Sequence, residues 1–105
     1  MKSIPLRVGT LVYYDSFAGL IPGKVVGFCY SPHRLSMEKM IMVKLTIRKR
    51  RGGYKPGEVI FIPVRSAPHS LVPRDAISTR GGKTYIRGGW EWKVEMPRKL
   101  NWCPV

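Results

Sequence analysis

Residues 40–48 alternate strictly. Ile41, Val43, Leu45 and Ile47 fall on one side of the pattern, and Met40, Met42, Lys44, Thr46 and Arg48 on the other. A side-chain period of two is that of a strand with one buried face, so this stretch predicts a strand whose Ile-Val-Leu-Ile side belongs to a core. Shorter β-rich runs lie around it. Residues 8–14 predict a first strand, and residues 24–30 a second, with Gly27 at a bulge or bend. Residues 58–64 predict a fourth strand, where Pro63 suits a strand end or sheet edge. Residues 71–74 predict a short fifth.

The connections have their own signals. Residues 15–23 read as a long turn closed by Pro22-Gly23. Residues 31–39 form a polar connection holding Pro32, His33 and Arg34, and residues 49–57 a basic loop. Residues 65–70, with Ala67, Pro68 and His69, are too short for a helix and suit a single 3₁₀ turn. Asp75-Ala76-Ile77 completes this part. The 11 glycines and 9 prolines punctuate short runs instead of interrupting long periodic ones, which predicts an all-β chain.

Residues 78–105 differ in composition. They hold Gly81-Gly82, Gly88-Gly89 and the three tryptophans, Trp90, Trp92 and Trp102. Residues 84–86 and 90–94 are expected to pair as a hairpin across Gly88-Gly89. Tyr85, Ile86, Val94 and the tryptophans carry more apolar surface than a solvated tail would, so the extension is expected to be structured. At 105 residues the chain is one domain. Its expected organisation is a compact part over residues 1–77 with a C-terminal extension, hairpin or extended tail, over residues 78–105 packed on it.

Charge changes the picture most. Nineteen Lys and Arg against six Asp and Glu give a net charge of +13. Arg48, Lys49, Arg50, Arg51 and Lys55 crowd into eight residues around Gly52, Gly53 and Tyr54. Folding gains nothing from like charges held so close, so a polyanionic partner is the first explanation, with nucleic acid foremost. Cations there would contact phosphates, and Tyr54 offers a face for base stacking. Arg80, Lys83 and Arg87, set around the later Gly-Gly pairs and followed by Trp90 and Trp92, repeat the arrangement. Arg34, Arg65 and Arg74 are candidate flanking contacts. Against this stand blander roles: a merely solvated basic tip, and tryptophans that pack the tail instead of stacking on bases. Nothing here predicts readout of base edges, so binding is expected to be weakly sequence-specific.

Catalysis finds no footing in the sequence. Asp15, Glu38, Glu58, Asp75, Glu91 and Glu95 are scattered, and Glu91 and Glu95, near neighbours on one strand face, suit pairing with nearby cations. His33 and His69 are lone loop histidines, and neither they nor the cysteines have metal-ligand spacing. No nucleophile motif or phosphate-cradling glycine loop is present, because Gly52-Gly53 lacks a strand-to-helix context. A non-enzyme without metal or cofactor is expected. Cys29 and Cys103 read as reduced, buried thiols, the alternative being a disulfide that ties the tail to the second strand. No apolar run approaches the ~20 residues of a membrane span, and the N-terminus lacks a secretory signal, so a soluble cytoplasmic protein with no membrane partner is expected.

The order of these elements resembles an SH3-like five-stranded small barrel. The likeness rests on residues 8–14 (VGTLVYY), 23–28 (GKVVGF), 42–45 (MVKL), 57–60 (GEVI) and 71–74 (LVPR), with a charged hairpin between the third and fourth strands and a 3₁₀ turn before the fifth. The opening run through GKVVGF is similar to Tudor-like and KOW-like barrels, and the layout also resembles small barrels of uncharacterised bacteriophage proteins. In Tudor-type relatives the position of Tyr13 and Tyr14 helps to line an aromatic pocket for methylated cations, a partner at odds with so positive a surface. Plasmid-type dihydrofolate reductases share the architecture and are faintly similar over GKVVGFCY and VIFIPV. Their pore segment carries an amide and a hydroxyl that Val59-Ile60-Phe61-Ile62 lacks, which removes the implied activity. The resemblance implies a small barrel, and the basic loop makes the expected function of that barrel nucleic-acid binding. The alternative is a structural or interaction module, such as a phage accessory protein, that assembles into an oligomer or binds an acidic protein partner through its barrel and Trp-rich tail.

Overall fold

The computed structural model describes residues 1–31 and 37–104, so His33 and Arg34 lie outside the described residues. The strands in chain order are β1 (Lys2–Leu6), β2 (Leu11–Ser16), β3 (Gly19–Tyr30), β4 (Lys39–Leu45), β5 (Val59–Pro63), β6 (Leu71–Pro73), β7 (Ile77–Arg80), β8 (Lys83–Ile86), β9 (Trp90–Val94) and β10 (Asn101–Trp102). The chain is all-β.

The alternation over residues 40–48 places Ile41, Val43 and Leu45 in the core, where they meet Leu6, Val12, Ile21, Val25, Phe28, Ile62 and Leu71. Strands β2 to β5 form an antiparallel meander, and β6 returns beside β2, giving the order β5-β4-β3-β2-β6. All five predicted strands are therefore present in a small-barrel-like arrangement. Its backbone pairing stays open between β5 and β6 among the described residues. Pro63 ends β5 on that open edge, where its missing N–H costs no ladder bond. The register of β3 against β4 shifts between Val25 and Gly27, the bulge expected at Gly27. It bends a strand long enough to serve two neighbours.

Several expectations need correction. Residues 15–23 are not a long turn: β2 and β3 run through them and reverse at Phe17-Ala18. Pro22 is tolerated inside β3 because its carbonyl is what the structure uses, accepting from the N–H of Thr46 (2.9 Å). β4 stops at Leu45, short of Arg48, although Ile47 still packs against the core. Residues 64–70 hold a 3₁₀ turn (Val64–Ser66) that leads into one turn of α-helix, α1 (Ala67–Ser70), with Pro68 in its first turn, where a missing N–H is harmless.

The largest corrections concern the extension. β8 pairs with β7 around Gly81-Gly82, not with β9 across Gly88-Gly89. β9 instead runs parallel to β1, an N-terminal strand the pattern did not announce, in register from Lys2 opposite Trp90 to Leu6 opposite Val94. Strand β7 also runs across the expected boundary between residues 77 and 78. Trp92, Val94, Met96 and Leu100 pack against the core cluster. β10 lies parallel to β3 at Cys29 and Tyr30, and the next residue, Cys103, forms a disulfide with Cys29, their Cα atoms 4.8 Å apart. The two cysteines are thus paired, not reduced. Both are buried, so burial alone, which suggested free thiols, did not distinguish the cases.

Candidate nucleic-acid interface

The basic loop is built, not slack. Arg51 and Tyr54 exchange backbone hydrogen bonds (2.9 and 2.8 Å) across Gly52 and Gly53, whose φ values of 54° and 88° are both left-handed. Two consecutive positive φ angles define the tight turn that glycine pairs supply best. The loop base is closed by Leu45 N–H to Glu58 O (2.8 Å) and Gly57 N–H to Leu45 O (3.0 Å). The Glu58 carboxylate accepts from the N–H of Lys55 (3.0 Å).

This turn is seated on the β2–β3 reversal. The Arg51 guanidinium donates to the carbonyl of Leu20 (2.8 Å). A Cβ added to Gly52 would collide with the Cβ of Ala18. Thr84 and Ile86 of β8 line an open cleft with Asp15, Gly19 and Leu20. The β2–β3 hairpin thus touches the basic loop and shares a cleft with β8. The tip of the β7–β8 hairpin repeats the two left-handed glycines at Gly81 (60°) and Gly82 (78°), between Arg80 and Lys83.

The nine residues predicted as contacts have different fates. Arg48, Lys49, Arg50, Lys55, Arg80 and Lys83 are exposed, and among the described residues their side-chain cations form no ion pair with a carboxylate. Arg51 and Arg87 are exposed but tied by their guanidinium groups, Arg51 to Leu20 O and Arg87 to the carbonyl of Asp75. Tyr54 turns inward. Its ring meets Tyr14 edge-on at 5.6 Å, and the two hydroxyls share a 3.3 Å hydrogen bond. The Tyr14 phenol is pushed up to about 12, first by that hydrogen bond, then by burial, then by the charges on Tyr54 and Asp15.

The flanking candidates are engaged elsewhere. Arg65 pairs with Glu38. Arg74 lies 5.3 Å over the Tyr13 ring and donates to Val12 O (3.3 Å) and Thr46 Oγ1 (3.2 Å). Trp90 and Trp92 pack edge-on at 5.6 Å, their indole N–H groups donating to Arg87 O (2.8 Å) and Leu71 O (2.9 Å), so packing accounts for both. Glu95 offsets Arg7 (3.4 Å), and Glu91 accepts from the Ser3 hydroxyl (3.0 Å). Among the described residues no group of three or more His, Cys, Asp or Glu converges as a metal site, and no helix is long and apolar enough to cross a membrane.

The sequence reading overlooked Phe17. It occupies the apex of the β2–β3 reversal with a relative exposure of 112%. Ser16 Oγ braces the turn by accepting from Ala18 N–H (3.1 Å) and donating to Gly19 O (2.8 Å). A lone aromatic between Ser16 and Gly19 was the available signal, but reading residues 15–23 as one long turn concealed the apex.

The fold defines an all-β, small-barrel-like protein with an exposed basic loop. No family model, curated protein or solved structure matches the chain.

Proposed function

We propose that this protein is a non-catalytic nucleic-acid-binding module, laying the loop that carries Arg48, Lys49, Arg50 and Lys55 along phosphates with little sequence specificity. The supporting observation is the pairing of a rigid turn with unneutralised cations. Each such cation brought to a phosphate releases condensed counterions. Arg80 and Lys83, at the tip of the β7–β8 hairpin, would add further cations to the same field. Backbone contacts of this kind read charge and shape, not base identity.

The test is anisotropy of a labelled mixed-sequence oligonucleotide against salt concentration. Replacing Arg48, Lys49 and Arg50 with glutamine should reduce the slope of log K against log salt by about 2, from roughly 0.7 per single-strand phosphate contact. An unchanged slope with unchanged affinity removes the loop from the interface.

A second reading, an assembly module for an acidic protein or further copies of the chain, draws support from apolar side chains left exposed on the extension, Tyr85, Ile86 and Trp102. Light scattering on nucleic-acid-free protein separates the two. A defined oligomer with no oligonucleotide binding favours assembly.

A further inference from the structure

Phe17 is the feature no packing argument absorbs. A fully exposed phenyl ring gives the fold nothing, since its apolar surface stays in water. The residue beside it is anything but idle. Ala18 packs against the core and against Gly52, and the Ser16 hydroxyl braces both ends of the turn. The ring is therefore held outward on a rigid mount. The hairpin that carries it also holds a cation and borders a second strand: Arg51 of the basic loop docks on the carbonyl of Leu20, and Thr84 and Ile86 of β8 share a cleft with Asp15, Gly19 and Leu20. Asp15 is the carboxylate that lines this cleft.

An outward-facing aromatic on the hairpin that seats the basic loop combines the two elements that hold unpaired strands, a phosphate-tracking surface and a stacking platform. We infer that Phe17 is a base-stacking residue, and that the ligand of this surface is single-stranded nucleic acid. This deepens the function proposed above and rests on it. A duplex keeps its base faces within its own stack and offers Phe17 nothing comparable, whereas a single strand can lay a base on the ring while its phosphates meet cations of the basic loop seated on the same hairpin. Tyr54, the aromatic expected to serve this purpose, is turned toward Tyr14.

The experiment compares Phe17→Ala, Phe17→Leu and Phe17→Trp with the native chain on a labelled mixed-sequence single strand and its duplex. Vesicles of phosphatidylserine and phosphatidylcholine serve as the rival polyanionic surface. Stacking predicts a loss of roughly 5- to 100-fold on the single strand for both Ala and Leu, recovery with Trp, and an unchanged salt slope. Duplex affinity should stay within twofold, and thermal melting should not shift because the ring touches no core. Equal losses on single strand and duplex, no loss on either, or full activity of the Leu variant overturns the assignment. So does a Phe17-dependent affinity for vesicles without one for the strand. If the native protein binds neither nucleic acid, the proposed function itself fails. If it binds and Phe17→Ala binds equally well, the stacking role alone falls.

Discussion

Gly52 stands against Ala18 so closely that a side chain at position 52 has no room, and the contact joins the basic turn to the β2–β3 reversal. Residues 34 positions apart in sequence thereby fix the orientation of one surface. Gly52→Ala should cost about 1–3 kcal/mol, combining a left-handed φ with the collision. Urea denaturation would measure it, and Gly53→Ala, which is also left-handed (φ 88°) but has no neighbour within 4 Å, isolates the backbone cost without the collision. Equal costs would show that the contact with Ala18 does not matter.

Arg51 and Arg50 should differ although they adjoin. Arg51 donates to Leu20 O, so Arg51→Gln is expected to lose about 1 kcal/mol of stability, the usual net value of such a bond. Arg50→Gln should leave stability within about 0.5 kcal/mol, as for an ordinary surface change. Both should weaken retention on heparin. A stability loss of the same size for both would mean that the Leu20 contact is not formed in solution.

The Tyr14 phenol gives a pH signature. Tyrosine in an unfolded chain titrates near 10, whereas Tyr14 is pushed up to about 12 in the fold. The native state therefore keeps this proton longer than the unfolded state. The corresponding stability is fully present below about pH 10 and is lost as pH rises toward about 12. Tyrosinate absorbance should show a late phenol for Tyr14, and Tyr54→Phe should bring it earlier. A native titration without a late component would contradict the Tyr14–Tyr54 contact.

The disulfide joins residues 74 apart. Closing so long a loop restricts the unfolded chain, and its removal by reduction or by Cys103→Ser should cost about 2–5 kcal/mol. Because such bonds persist in oxidising surroundings, the expected cytoplasmic setting would instead hold the pair as thiols. Alkylation of protein trapped directly from cells, with and without reduction, reads which form exists there. Equal melting temperatures for the oxidised and reduced protein would refute the structural role.

What the sequence disclosed follows from which forces act locally. The alternation at Ile41, Val43 and Leu45 was legible because a strand with one buried face writes its period into neighbouring positions. Gly27 and Pro63 were legible for a similar reason: each disturbs its own backbone. The partners of β9 and Cys29 were not, since a parallel strand or a disulfide depends on residues remote in the chain, and nothing near Trp90 encodes Lys2. The Pro22-Gly23 pair misled because turn propensity is local and the ladder with Tyr13 and Leu45 outweighed it. At the candidate site the cations could be identified from composition. Their division into free groups at Arg48, Lys49 and Arg50 and tethered ones at Arg51, Arg74 and Arg87 required the fold.

The parallel ladder between β1 and β9 sets an order of events during synthesis. Lys2 and its neighbours leave the ribosome long before their hydrogen-bonding partners, Trp90 through Val94, which lie 88 positions later in the chain. Leu6, fully buried in the finished protein, has no strand to lie against for most of that interval. Such distant pairing slows folding and leaves a sticky segment uncovered meanwhile. A nascent chain stalled before residue 90 should accordingly be captured by chaperones, and one released after Cys103 should not.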